Sequence, residues 1–380
     1  MVFELEIKKS ENIPKLYDVL FSSLKWKVEE DLASQMAVEF TALRNSAINS
    51  KLPKTALLDN LKSYHDQLIL LGGKIKFTPE ACHVKFKWFC SYTARGEDKS
   101  DRELCDIEWE FANVLFNIAI LHYLQGKRKS KDNDRSEALK FFREAAGIVE
   151  YLKDHQTKGM NRRTNDLQEH ALELIFNAFI GFAQIEVAKK AAEDGKKNEL
   201  VARLYEGAKR QFNDSGIMTS AKALKQYLSS HYKYCEAMVN YHMALHEEDD
   251  PQWLREAELR LTVARDNLGT LLKNYPELHD ENEKVELAYK RVNSARAATG
   301  EPPEFEKNNL VQVKPELIAK AIDYNKRCFS QNSDGIFDVD STRDRPDPIQ
   351  ENTSCWKSLC CCFSRVDDEP KNFETQAAQI

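Results

Sequence analysis

Glycine and proline are scarce in this 380-residue chain, which has 13 of the first and 11 of the second, about half their usual combined share of roughly 12%. Many-stranded sandwiches and barrels need frequent turn residues, so neither is expected. No apolar run approaches the roughly 18 residues of a bilayer-spanning helix. The amino terminus, Met1-Val2-Phe3-Glu4, has no cationic stretch ahead of an apolar one, and residue two is not glycine. Neither a secretory signal nor myristoylation is therefore expected. Positive charge is not in excess: 55 Lys and Arg stand against 61 Asp and Glu, a net −6, which argues against a dedicated nucleic-acid binder. The last four residues, Ala377-Ala378-Gln379-Ile380, are no prenylation signal.

Catalytic motifs are missing as well. There is no Gly-rich phosphate loop, nucleophile elbow or His-Glu-x-x-His zinc pair. His231 and His242 stand eleven apart on one predicted helix, without a partner at ligand spacing. No enzyme activity, cofactor, metal site or small-molecule substrate is expected.

What is present is helical pattern. Charged residues at 31% and hydrophobic ones at 42% suit long amphipathic helices. Leu32, Met36, Phe40, Leu43 and Ala47 recur at three- and four-residue intervals, as do Leu57, Leu61, Tyr64 and Leu68 before Gly72-Gly73. Phe3, Leu5 and Ile7 alternate with Glu4, Glu6 and Lys8, the period of a half-buried strand. Lys74 to Phe77, the Thr78-Pro79-Glu80 turn, and Val84, Phe86 and Trp88 read as a hairpin. With the first strand, it predicts a small sheet.

From about 104 to 298 the periodicity predicts helices over 104–126, 134–154, 164–193, 196–212, 218–247, 252–275 and 278–298, with Thr164-Asn165-Asp166 as candidate caps of the third. Long helices joined by short turns stack antiparallel in a helical solenoid. Tyr227, Tyr234 and Tyr241 form a stripe suited to packing between helices, and Asn113 and Asn117 on an apolar helix suit buried polar groups in need of partners. Beyond Gly300 the prolines break regular structure, although 315–328 predicts one more short helix. Residues 330–380 read as an unfolded acidic tail behind a helical domain that occupies 1–329.

Dispersed segments carry a family resemblance. They are Glu39-Phe40-Thr41-Ala42-Leu43-Arg44, Leu61-Lys62-Ser63-Tyr64-His65-Asp66-Gln67-Leu68, Phe86-Lys87-Trp88, the run Glu110 to Ala119, Ala145 to Lys153, and Asn240-Tyr241-His242. In order and spacing over about 1–300, the chain resembles the BRO-one domain of ALIX-like endosomal-sorting adaptors. The resemblance implies a mainly α, boomerang-shaped, tetratricopeptide-like solenoid with a small antiparallel sheet. It also implies a non-enzymatic adaptor that grips the carboxyl-terminal amphipathic helix of an ESCRT-III filament subunit in multivesicular-body sorting. A rhophilin-like signalling scaffold that binds another peptide is the alternative.

Carried over by the resemblance, the contact positions are Val187, Leu200 and Leu204. Leu200 and Leu204 share one helical face, which suits either a helix core or a groove for a partner's apolar stripe. Lys196, Lys197 and Arg203 stand ready for acidic groups on that partner. Two departures from the family matter. The family's V-shaped coiled-coil and long proline-rich regions are not expected here, and its usual tyrosine is not found around Glu301 to Phe305.

The nine cysteines fall into two populations. Five are scattered through regular sequence; Cys355, Cys360, Cys361 and Cys362 are bunched beside Trp356, Lys357, Phe363 and Arg365. That bunch suits S-acylation at a membrane, with reduced thiols as the plain alternative and a poor spacing for zinc. The basic runs Lys127-Arg128-Lys129, Lys131, Lys158 and Arg162-Arg163 read as solvated turns or as weak contacts to an anionic membrane. A cytoplasmic protein, peripheral on endosomal or other membranes, is expected.

Overall fold

The computed structural model describes residues 6–13, 15–24, 30–72, 84–91, 102–160, 163–212, 222–248, 253–299, 310–324 and 329. Among these are the helices α1 (Leu16–Leu24), α2 (Glu30–Ala47), α3 (Lys54–Gly72), α4 (Ile107–Lys131), α5 (Arg135–Tyr151), α6 (Glu169–Glu193), α7 (Asn198–Phe212), α8 (Lys222–Glu247), α9 (Leu254–Leu272) and α10 (His279–Thr299). Two short strands, β1 (Phe86–Trp88) and β2 (Arg102–Leu104), pair with each other. The chain divides into two compact units: one holds 1–9, 87–102 and 112–326, the other 10–86, 103–111 and 327–380.

In the larger unit each helix from α5 to α9 packs on its successor. Asn133 and Gly195, both with positive φ, make the tight turns between α4 and α5 and between α6 and α7. The side chain of Asp134 accepts the Glu137 N–H and so caps α5. α6 is the central helix. By length and composition it would cross a membrane, yet 78% of its apolar stretch is buried inside the protein, as in the core helix of a globular fold. Tyr123, Phe142, Phe179 and Phe182 cluster there with ring centroids 5.0–6.1 Å apart.

The smaller unit is organised around a buried charge. The Arg44 guanidinium donates to Glu110 Oε1 at 2.9 Å, to the Glu11 carbonyl and to Ser10 Oγ, and Tyr64 donates its hydroxyl to the same Glu110 oxygen. Both charged side chains are fully inaccessible. Burial and the neighbouring Glu110 carboxylate push the Tyr64 phenol well above its ordinary range, so it remains a donor at all physiological pH.

Several expectations change on contact with the structure. Lys8, assigned to the wet side of a strand, is 3% exposed. Its ammonium donates to Thr164 Oγ1 at 2.6 Å and Asp166 Oδ1 at 2.8 Å, and Asp166 Oδ2 accepts the Ser91 N–H. Burial alone would raise the Asp166 carboxyl; the Lys8 ammonium and these hydrogen bonds instead hold it below the usual range. Thr164 and Asp166 are thus engaged with Lys8, not with a helix end, and α6 starts after Gln168 with no side-chain cap.

Residues 6–9 are not a strand. The Lys8 backbone exchanges both its hydrogen bonds with the Asn117 side chain, at 2.6 and 3.0 Å, so backbone pairing is confined to its neighbours: the Phe89 N–H donates to the Lys9 carbonyl at 3.0 Å, and Ser10 forms an isolated bridge. Asn117 therefore satisfies buried backbone as expected. The predicted hairpin arm at 74–77 lies outside the described residues, and β1 pairs with 102–104 instead. The helix predicted at 315–328 does not form over the described residues 310–324, which have no regular secondary structure. The tail and its four cysteines also lie outside the described residues.

Candidate partner-binding site

The irregular segment 310–324 is a strap across the helices of the larger unit, and it is held mainly through its backbone. The Glu316 N–H donates to the Arg203 carbonyl at 2.9 Å and the Ile322 N–H to the Arg143 carbonyl at 3.0 Å. Both acceptors belong to helix interiors, where a side chain four residues on normally covers the carbonyl. Here that fourth residue is glycine in each case, Gly147 on α5 and Gly207 on α7. A Cβ added at Gly147 would come within 1.7 Å of the Ile322 carbonyl oxygen, and one at Gly207 within 2.2 Å of the Glu316 oxygen. The same Arg-x-x-x-Gly spacing thus opens two helices to the strap. Each arginine also grips it: Arg143 Nε donates to the Lys320 carbonyl, and Arg203 pairs with the Glu316 carboxylate at 3.1 Å.

Between these two points Gln184, on α6 and fully buried, satisfies the strap from below. Its Nε2 donates to the Leu204 and Glu316 carbonyls at 3.2 and 2.8 Å, and its Oε1 accepts the N–H groups of Ile318 and Ala319 at 3.0 and 2.9 Å. Strap and helices are therefore one surface. At its start, Arg260, only 2% exposed, donates to the Val311 carbonyl and pairs with Glu247 and Glu256. At its end, Tyr324 packs edge-on against Tyr151.

The three expected contact residues fall beside this strap, but unequally. Leu204 is 2% exposed and belongs to the core. Val187 and Leu200 are half-buried. Since Gln184 bonds across to Leu204, the antiparallel register puts Val187, one turn along α6, level with Leu200, one turn back along α7. The strap adds two exposed side chains at the same place, Leu317 at 49% and Ile318 at 52%. Those two were missed by sequence reasoning, which assigned their segment to a helix. The pair of Arg-x-x-x-Gly spacings was the only trace of the strap visible in the sequence. Of the expected cations, Arg203 is engaged by Glu316, whereas Lys196 and Lys197 are exposed on the α6–α7 turn.

Of the α8 side chains singled out by spacing, His231, His242, Tyr227 and Tyr234 pack against neighbouring helices. His231 packs among Phe182, Phe212 and Tyr227 with centroids 4.5–5.4 Å away. His242 stacks on Tyr205 and shares a 3.0 Å hydrogen bond between its Nδ1 and Asn198 Oδ1. Burial lowers His231 to about 3, helped by Lys127 and Lys189, and lowers His242 to about 4. Both rings are neutral at physiological pH. Tyr227 and Tyr234 are buried packing residues, as their spacing predicts; Tyr241 is half-buried. Among the described residues no three His, Cys, Asp or Glu side chains gather as a metal site.

A solenoid of consecutive helices with a short sheet and a strap of this kind defines a helical scaffold with an apolar face. The BRO1-like domain family matches residues 2–301, and the chain belongs to that family. It is similar to the pH-response regulator protein palA/RIM20 of Emericella nidulans, 29% identical over 188 residues, which are 48% of this chain and 22% of that protein. The chain spans about a quarter of the length of this protein and of two further curated palA relatives that it matches. Its fold is that of the ALIX BRO1 domain solved in complex with CHMP4C, with a TM-score of 0.73 at 19% identity over 89% of this chain and 99% of that one. A Bro1 domain solved as the structural basis for endosomal targeting has a TM-score of 0.63 at 19% identity, covering 87% and 94% of the two chains.

Proposed function

We propose that this chain is a non-enzymatic adaptor that binds the carboxyl-terminal amphipathic helix of an ESCRT-III filament subunit in endosomal or multivesicular-body sorting. The observation that carries the reading is the apolar face formed by Val187, Leu200, Leu317 and Ile318 around Gln184, in a fold shared with a BRO1 domain solved with such a subunit. A helix that lays its i, i+3 and i+4 side chains along this face covers the exposed leucine, isoleucine and valine surface. Each large aliphatic side chain so covered contributes roughly 1.5–3 kcal/mol. Lys196 and Lys197 flank the face for acidic groups on the partner. Leu204 supports the face from beneath.

Titration of an ESCRT-III carboxyl-terminal peptide into the protein tests this. Leu200→Asp and Ile318→Asp each weaken binding at least about tenfold, since a carboxylate then meets an apolar stripe, while the circular dichroism spectrum is unchanged. Full affinity in both variants would sink the reading and favour a scaffold for a different peptide. Leu204→Asp is the poorer probe, because it buries a charge in the core and lowers stability by several kcal/mol, on the order of 4.

The adaptor is cytoplasmic and peripheral on membranes in this reading. Residues 1–329 form the domain, and 330–380 carry the anchor through acylated Cys355, Cys360, Cys361 and Cys362. One acyl chain holds a protein only marginally, whereas two or more hold it stably. Hydroxylamine-sensitive acyl label on the wild-type chain, lost in the quadruple Cys→Ser variant, is the expected result; an unlabelled wild type removes the anchor.

A further inference from the structure

On the opposite side of α6 from Gln184, a cavity of about 170 Å³ opens among α4, α5, α6, α8 and the turn between α9 and α10. Its apolar walls include Phe142, Phe182, Ile185 and Tyr275. Lys127, Lys131 and Lys189 line it as well, Lys131 from an exposed position and the other two half-buried. Of its two carboxylates, Glu186 is already engaged by Ser130 at 2.6 Å, by Arg135 at 3.2 Å and, more loosely, by Lys189 at 3.8 Å, and Glu277 is exposed. His231 contributes to the wall, and its Nε2 is buried with no hydrogen-bond partner.

Three features converge on one ligand chemistry. An apolar cavity of about 150 Å³ accommodates a single benzene-sized ring, so the space suits one ring and not a long acyl chain. Three lysines stand against two carboxylates, and Glu186 draws on Arg135 as well as on Lys189, so the rim keeps an excess of positive charge that favours an anion. The depressed His231 reports the same field, since Lys127 and Lys189 disfavour its protonation after burial has done so.

We propose that this cavity is a binding site for an aromatic carboxylate, with the ring between Phe142, Phe182 and Tyr275, the carboxylate on Lys131 and Lys189, and His231 Nε2 hydrogen-bonded to the occupant. The site is separate from the strap face and does not rest on the adaptor reading. The same chemistry occurs in a free aromatic acid and in an aromatic residue flanked by acids on a peptide.

Calorimetry and saturation-transfer NMR on the full chain distinguish these sources with 3-phenylpropionate, its neutral counterpart 3-phenylpropan-1-ol, and the blocked peptide Asp-Phe-Asp. At least one of the two acidic probes binds, and the alcohol binds about tenfold more weakly than 3-phenylpropionate where the free acid is the ligand, because charge-assisted contacts are lost. Binding of the peptide alone assigns the peptide source. Lys131→Gln combined with Lys189→Gln weakens the bound probe about tenfold, and Leu278→Trp, which fills the cavity from its turn, abolishes it. Leu200→Asp leaves it unchanged. No binding by either acid, or binding that survives both the double lysine variant and Leu278→Trp, overturns the proposal.

Discussion

The two sides of α6 solve the problem of a buried polar group in opposite ways. Towards the strap, the Gln184 amide bonds four backbone groups, and nothing polar in that side chain is left over. Towards the cavity, His231 on the facing helix keeps a buried Nε2 without a partner. A satisfied buried network rigidifies what it touches, whereas an unsatisfied atom is costly and marks space that a ligand or water can enter. The strap side is therefore a prebuilt surface for a large partner, and the cavity side a socket for a small one.

Perturbing the strap side should have the larger effect. Gly147→Ala sets a Cβ against a backbone carbonyl that cannot rotate away, so the strap must lift from α5. A loss of about 3 kcal/mol in urea unfolding is expected, at the upper end for overpacking, with amide exchange at Ile322 accelerated. Unchanged exchange there would show that α5 yields in place of the strap. Gln184→Ala comes next, at about 2 kcal/mol for orphaned carbonyls and N–H groups that water partly rescues. Faster exchange at Ile318 and Ala319 with Ile322 less affected is its signature.

The smallest effect belongs to the cavity side, and it appears only as a pH dependence. His231 titrates near 3 in the folded protein and near 6.5 when unfolded. Below about 6.5 the unfolded chain binds a proton that the folded one does not, so stability falls as pH drops from about 6.5 towards 3. In His231→Phe this contribution vanishes. The difference in unfolding free energy between the two proteins should therefore shift in the variant's favour between pH 7 and pH 5, and a pH-independent difference would show that the ring is solvated.

Asp166 has the opposite chemical role with the same sign. Its carboxyl is held below the ordinary value by Lys8, so the pair contributes fully above about pH 4 and is lost as the pH falls through the lower folded value. Both groups make acid the weak condition for the larger unit.

Much of the helical framework was legible in advance, because helix periodicity is local. The stretches that became α4 to α10 repeat their apolar residues at three and four, and their turns carry Asn133 and Gly195 where the chain must go left-handed. The expected site was legible only in part. Val187 and Leu200 could be placed, but nothing local distinguishes their half-exposed neighbours from buried Leu204 one turn away. Leu317 and Ile318 were misassigned because Pro315 to Ala321 has an acceptable helical pattern, and an irregular strap has no period of its own.

The sequence alone determined the scarcity of turns, the helices and their order, since each depends on residues within one or two turns of each other. Tertiary structure decided everything that depends on who bonds to a lone backbone or a lone charge. Lys8 went inside because Asp166 and Thr164, more than 150 residues away, could compensate its desolvation. Residues 310–324 stayed non-helical because Gln184 and the carbonyls bared by Gly147 and Gly207 offered their backbone better partners than their own helix would have.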